Sequence, residues 1–479
     1  MKARSLWRLR RSIPAISPCL KRGGLVILAI ALASLHAPSV RGQDAHYWNL
    51  SYGTQATLLG GAVIGSASDL SATYYNPGML AVNREQGLLL GANVYTFQSV
   101  RLEGAPGEGS SSSRVAPAPG LVAGRVPVDS TVLGGIAYSI LSRHYFKTDI
   151  QGRIVQPFDI VGNDGIPEQV ASELTFSADL TETWLGATAF RLVRPGLGVG
   201  LSTYAALRNQ SLRRAAQAGA LTAAGNVSSS SQTSDIEYYS VRLLWKLGVG
   251  LDLGALTLGA TVTTPSVSLF GSGSSYLNQT KSRITTPTDT ARDELLVASN
   301  QQDVDALWKS SWAVGLGAGY RFGDARIHLS AEWYAHVGPY DVLALSPYTG
   351  QSDGEEHREA VRGELESVLN AGIGLEYTLS PSASLYGSLT TDRAAVESGT
   401  ANDLAATMWD LYHVSGGAVL KFEALDLTVG LSYAGGSETL GELSWRRSSS
   451  IDDKEVLIPD ETQVRSFTLT GVLAFTFRL

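Results

Sequence analysis

From about residue 87 onward the chain alternates, with apolar side chains at every second position in segment after segment. In "VRLLWKLGVGLDL", Val241, Leu243, Trp245, Leu247, Val249, Leu251 and Leu253 share one face, and Arg242, Lys246, Gly248 and Gly250 share the other. "WAVGLGAGY" sets Trp312, Val314, Leu316, Ala318 and Tyr320 against Ala313, Gly315, Gly317 and Gly319. "LDLTVGLSY" repeats the pattern with Leu425, Leu427, Val429, Leu431 and Tyr433. A period of two is the mark of a strand. Arg242 and Lys246 would also share a face of a helix, but each glycine costs a helix about 1 kcal/mol relative to alanine. Glycines at alternate positions therefore settle these segments as strands.

Fourteen such segments follow one another, at 87–103, 113–126, 130–147, 170–192, 195–214, 232–253, 254–270, 308–322, 324–338, 364–379, 382–393, 411–423, 425–446 and 461–479. Their connections alternate between tight turns, such as Arg194-Pro195, Gly254, Gly323-Asp324 and Ser380-Pro381, and long polar loops. Short turns on one side, long loops on the other and an even strand number are the pattern of a bacterial outer-membrane barrel. A sandwich would have to hide this much apolar surface in a core, whereas a closed barrel turns it to lipid and leaves no sheet edge. Arg242 and Lys246 would cost roughly 2–4 kcal/mol each facing lipid near the midplane, so the apolar parity faces outward. The expected fold is all-β, a 14-stranded antiparallel transmembrane barrel.

The first 42 residues stand apart. Seven lysines and arginines precede the apolar run Leu25 to Ala37, which is shorter than the roughly 20 residues of a membrane-spanning helix, and cleavage is expected before Gln43. Residues 1–42 are thus read as a signal peptide, 43–86 as a plug and 87–479 as the barrel. Removing the leader's eight lysines and arginines from the 37 of the whole chain leaves 29 against 44 acidic residues, a net charge of −15. That balance excludes a nucleic-acid partner, which would need a basic face. Cys19, the sole cysteine, lies in the leader, so no disulfide or thiolate metal site is expected beyond it.

Ahead of the first strand, "LLGGAVIGSASDLSATYYNPGMLA" is rich in glycine, alanine and serine. Such a stretch is too apolar for a disordered tail and too short to fold alone. A barrel lumen would supply the missing half of its core. "GGAVIGSASDLSATYYNPGMLA" resembles the N-terminal hatch of the FadL/TodX family of outer-membrane channels for long-chain fatty acids and other hydrophobic molecules. The family's acidic residue corresponds to Asp69 and its Asn-Pro-Ala triplet to Asn76, Pro77 and Gly78, with glycine in place of alanine. "VAPAPGLVAGRVPV" (Val115 to Val128) is similar to the family's proline-containing second strand. The final strand, with Phe467, Leu469, Leu473, Phe475, Phe477 and Leu479 on one face, is similar to the signal read by the barrel-assembly machinery.

The resemblance implies passive uptake of a fatty acid or hydrocarbon, caught at the extracellular end and released sideways through the wall, bypassing the lipopolysaccharide leaflet. A FadL-like barrel serving as a secretion or assembly scaffold is the alternative, and an open aqueous porin a third reading that the plug opposes. Candidates for the wall opening are Pro117, Pro119, Gly134 and Gly135, because proline cannot donate to a ladder and glycine weakens one. Arg208, Arg242, Lys246 and Glu376 are the expected lumen charges, holding a carboxylate headgroup or fastening the hatch through Asp69. Two loop stretches of helix-favouring composition, Ser211 to Val227 and Asp289 to Trp308, are expected to form helices with an apolar catching surface. Outward Trp245, Trp312, Tyr320, Trp333, Tyr377 and Phe477 are read as interfacial girdle. The six histidines beyond the leader have no metal-ligand spacing, and no strand presents a nucleophile beside a base. No enzyme activity, cofactor or metal is expected.

Overall fold

The computed structural model describes residues 46–83, 88–103, 110–118, 120–126, 134–158, 168–221, 225, 227–282, 294–396, 402–404, 407, 409–439 and 463–477. The expected leader and its cleavage site lie outside these residues, as does Pro119.

Twenty-one strands form in chain order. The first group is β1 (Leu88–Glu103), β2 (Ser111–Ala118), β3 (Leu121–Val126), β4 (Gly135–Phe158), β5 (Glu168–Arg194), β6 (Leu197–Leu221) and β7 (Val227–Asp252). The second is β8 (Leu256–Thr263), β9 (Val267–Ser282), β10 (Leu295–Asp305), β11 (Ala313–Phe322) and β12 (Ala325–Tyr334). Small extracellular hairpins follow, pairing β13 (Val337–Leu343) with β16 (Val361–Leu365) and β14 (Tyr348–Thr349) with β15 (Glu356–His357). The last group is β17 (Val368–Ser380), β18 (Ala383–Asp392), β19 (Leu411–Lys421), β20 (Leu425–Thr439) and β21 (Gln463–Phe477). Three staves of the wall are each built from two strands, β2 with β3, β8 with β9 and β10 with β11. The wall therefore has fourteen staves, all antiparallel, and it closes where β1 pairs with β21 from Leu88↔Phe477 to Glu103↔Gln463.

Alternation fixes which face meets lipid. Along β11, Val314, Leu316 and Tyr320 are exposed on the outside; along β20, so are Val429, Leu431 and Tyr433. The opposite parity is buried, including Arg242, Lys246, Val472 and Ala474. No helix among the described residues is long and apolar enough to cross a membrane, so the strands carry the apolar belt.

β4 to β7 run to 24, 27, 25 and 26 residues, against the 9–11 that a membrane requires. Their upper parts continue as a sheet whose outer face carries cross-strand ion pairs, Arg153–Glu173 at 3.2 Å, Arg213–Asp235 at 3.9 Å, and Lys147–Asp179. This corrects one expectation. In the first stretch, Ser211 to Leu221 is not helical but continues β6, bonded to β5 on one side and β7 on the other. In the second, Leu295 to Asp305 is likewise a strand, paired with β9. Helix propensity amounts to tenths of a kcal/mol per residue, and two flanking ladders outweigh it.

Inside the wall lies the segment 46–83, with single-turn helices α1 (Gln55–Leu58), α2 (Ala72–Tyr75) and α3 (Met79–Val82). α1 ends in a Schellman motif: Gly60, at φ +59°, donates to Thr57 O and Gly61 donates to Ala56 O. Leu58, Leu59, Val63, Met79 and Leu80 share a core with wall residues Leu89, Leu121, Tyr204 and Leu244.

Candidate functional site

The inner segment rests on glycine. On the inward faces of β6 and β7, Gly198, Gly200, Gly248 and Gly250 meet residues 77–82 backbone to backbone. A Cβ on Gly78 would lie 2.6 Å from Gly248 O, so an alanine there has no room. The Asn-Pro-Gly triplet thus has a steric cause in this chain. Asn76 Nδ2 donates to Ile64 O (2.8 Å) and Val249 O (2.9 Å), joining two limbs of the segment to the wall, while its Oδ1 accepts from Gly78 N. Asp69 does not reach a wall arginine, contrary to the expectation. Its carboxylate accepts from Thr54 N and Oγ1 and from Ser71 N and Oγ, all within the segment.

The four expected lumen charges divide. Glu376 sits with His328 (3.4 Å), whose Nδ1 bonds Ser66 Oγ at 2.7 Å, so it ties the inner segment to the wall. Arg208, Arg242 and Lys246 gather elsewhere, around a cavity of about 650 Å³ that is partly open to solvent. Glu182 on β5 takes Arg208 Nη1 (3.2 Å) and Arg242 Nη2 (2.7 Å), and also accepts from Trp184 Nε1 at 2.6 Å. Glu332 on β12 accepts from Lys246 Nζ (3.1 Å), Trp48 Nε1 (3.1 Å) and Tyr334 OH (2.6 Å). Trp308 stacks on the Arg208 guanidinium at 3.8 Å. Beside the lining residue Lys309, Tyr340 OH accepts from Lys309 N, and burial pushes this hydroxyl up to about 12, so it stays neutral.

Arg143, absent from the expected charges, completes this group. Its guanidinium lies among the rings of Tyr47, Tyr74 and Trp184, at 5.9, 5.8 and 5.7 Å. It makes no ion pair or hydrogen bond among the described residues, and its buried Nη1 is unpartnered. It continues the inward parity of Ala137, Ser139 and Leu141 along β4, and a bulge between Ser142 and His144 passes that parity to Phe146 and Thr148 beyond it.

A second cavity, about 980 Å³ and also partly open to solvent, is lined by Leu50, Arg114, Tyr145, Phe146, Leu180 and Trp409, among others. The short stretch His46 to Leu50 borders both cavities: Tyr47 faces the first, and His46, Asn49 and Leu50 face the second. Trp48 pins that stretch, its N–H donating to Asp392 at 2.9 Å and its indole to Glu332.

Beside the second cavity the wall has a seam. The β3–β4 ladder ends at Leu121↔Leu141, and among the described residues no ladder joins β2 to β4 above that point. What bridges the seam among the described residues is Ser142 N donating to Gly120 O (3.5 Å) at its lower end, Asp149 N donating to Ser112 Oγ (3.2 Å), and the Arg114 guanidinium 5.7 Å from the Tyr145 ring. Pro117 lies in β2 along this seam. Gly134 and Gly135 fall at the far end of β4, where Gly135 is paired with Phe190, so the ladder is unbroken at that glycine.

Of the histidines, His336 meets Glu364 and Glu366 on the β13–β16 hairpin, three ligand-type atoms within 4.8 Å of one another that sequence spacing does not reveal. In the acidic run Asp353 to Glu359, the backbone N–H of Glu355, and then His357, hold Asp353 below its usual range.

A closed fourteen-stave barrel with an apolar outer belt and an inner segment ahead of its first strand is a transmembrane barrel of outer-membrane type. Its fold is that of the FadL and TodX channels. A FadL homologue from Pseudomonas aeruginosa matches over 90% of this chain and 99% of its own, at 12% identity and a TM-score of 0.59. The toluene transporters TbuX of Ralstonia pickettii and TodX of P. putida match over 90% of this chain and 98% and 99% of theirs, both at 13% identity and a TM-score of 0.52. No family model and no characterised protein matches the chain by sequence.

Proposed function

We propose that this protein admits hydrophobic small molecules, long-chain fatty acids or hydrocarbons, passively across the outer membrane and releases them sideways. The observation that carries this reading is the seam between β2 and β4, opening beside a cavity that lies against the inner segment. The inner segment, wedged against the glycines of the wall, stops the lumen as a hatch, so a solute entering from outside has no straight way through. An apolar solute gains about 25 cal/mol for each Å² it moves from water into hydrocarbon. Leaving through the seam into lipid is therefore downhill and requires no energy source. Structural neighbours named as toluene transporters support the class of cargo.

The test is to lock the seam. Ser112→Cys with Asp149→Cys places two thiols where a hydrogen bond already bridges β2 and β4. Cells carrying the oxidised double variant are expected to lose most uptake of labelled oleate or toluene and to regain it on reduction. Full uptake with the bridge shown to be formed would refute the sideways route. A deletion strain with undiminished uptake of every apolar solute tried would refute transport altogether and favour the scaffold reading.

A further inference from the structure

The 650 Å³ cavity carries more positive charge than its own carboxylates answer. Four cations on its lining, Arg143, Arg208, Arg242 and Lys246, are at least 96% buried, and so are its two carboxylates, Glu182 and Glu332. Among the described residues the buried excess is two positive charges. Lys309, on the same lining, is exposed and counts as solvated. Asp392, a buried carboxylate at the end of β18, does not line this cavity and is engaged by Trp48 N, Asn370 and His46. Buried charge without a partner costs several kcal/mol per ion, and two of the cations present unused donors. Nη1 of Arg143 and Nε of Arg242 are buried with no hydrogen-bond partner. Guanidinium groups are planar forks suited to oxyanions. Around them stand Tyr47, Tyr74, Trp184 and Trp308, an apolar and aromatic surround for a tail.

We infer that this cavity binds amphiphiles whose head is a dianion, specifically a phosphate monoester on an alkyl or aromatic tail. The head takes Arg143 and Arg242 as its donors and cancels the buried excess, while the tail lies among the rings. This rests on the uptake reading and narrows its cargo: the same pathway serves a class defined by head charge as well as by tail.

Calorimetry on the purified full chain in maltoside, at pH 8, separates the alternatives with four probes: octyl phosphate, octyl sulfate, octanol and inorganic phosphate. Octyl phosphate is expected to bind at least tenfold more tightly than octyl sulfate, which has the same shape and one charge fewer. It should exceed octanol and inorganic phosphate by about a hundredfold. Arg143→Gln should weaken octyl phosphate at least tenfold without changing octanol, and Arg143→Lys should recover part of the loss. Equal affinity for the phosphate and the sulfate, or for the phosphate and octanol, would overturn the dianion site and leave the channel standing. Inorganic phosphate binding as tightly as octyl phosphate would overturn the role of the tail. Intact oleate uptake with no binding of octyl phosphate would likewise sink only this inference, whereas loss of the channel reading shows separately, in the uptake of neutral solutes.

Discussion

The inward faces of β6 and β7 divide into two regions of opposite chemistry on the same strands. Near the Leu197 end of β6 and the Asp252 end of β7 the inward residues are Gly198, Gly200, Gly248 and Gly250, with no side chains, and the inner segment lies directly on the backbone. A few residues further along, with parity unchanged, they become Arg208, Gln210, Arg242 and Lys246. One region holds the protein's own chain by close approach. The other holds a space that the chain leaves unfilled and overcharges. A barrel wall with one repeat can thus serve as a seat at one height and a receptor at another, and the difference lies in which side chains occupy the inward positions.

The largest effect is expected from destroying the seat. Gly248→Leu would drive a side chain into Asn76 and Pro77 and unseat the segment from β7. Planar-bilayer recordings should then show steady ion conductance at least tenfold above wild type, while the barrel itself still folds. Unchanged conductance would mean that the segment has other anchors sufficient to hold it. A smaller effect is expected in the charged region. Glu182→Gln removes the carboxylate shared by Arg208 and Arg242, and stranding buried charge costs about 3–5 kcal/mol. Urea unfolding from bilayers would measure that loss, and octyl phosphate should restore part of it. The smallest belongs to the upper sheet. Arg213→Ala breaks an exposed 3.9 Å pair with Asp235, for which about 0.2–1 kcal/mol is the general range. A loss above 2 kcal/mol would show that the extended sheet is coupled to the barrel in a way its outer face does not suggest.

Much of the barrel was legible because the period of two is local. Trp312 to Tyr320, Leu425 to Tyr433 and Phe467 to Phe477 announce their outer faces without help from partners. The upper parts of β6 and β10 were not legible, since alanine-rich or leucine-rich stretches suit helices until neighbouring strands bond them. Arg208, Arg242 and Lys246 could be placed in the lumen by parity. Their companions Glu182 and Glu332 follow the same rule, Glu332 standing next to the outward Trp333 and Glu182 two residues before the inward Trp184. Arg143 obeys that rule too, two residues on from Leu141, whereas the inward positions beyond it, Phe146 and Thr148, do not, because a bulge shifts the register there and a bulge has no fixed sequence sign. The seam was hidden for a related reason. Prolines marked β2 correctly as a poor donor, but where a ladder stops depends on the facing strand, and β4 pairs with β3 only from Ile136 to Leu141 while its ladder to β5 runs on to Phe158.

The order of the chain has a consequence for how this molecule is made. The inner segment comes first, yet Trp48 finds its partner Asp392 on β18, 344 residues later. The stopper must wait, loosely held, until most of the cylinder around it exists. Closure between β1 and β21 is then the last act, performed over an already occupied interior. Contacts so distant in sequence make for slow maturation. A late-strand lesion should therefore trap an intermediate whose leading segment is open to proteases while its early hairpins are protected.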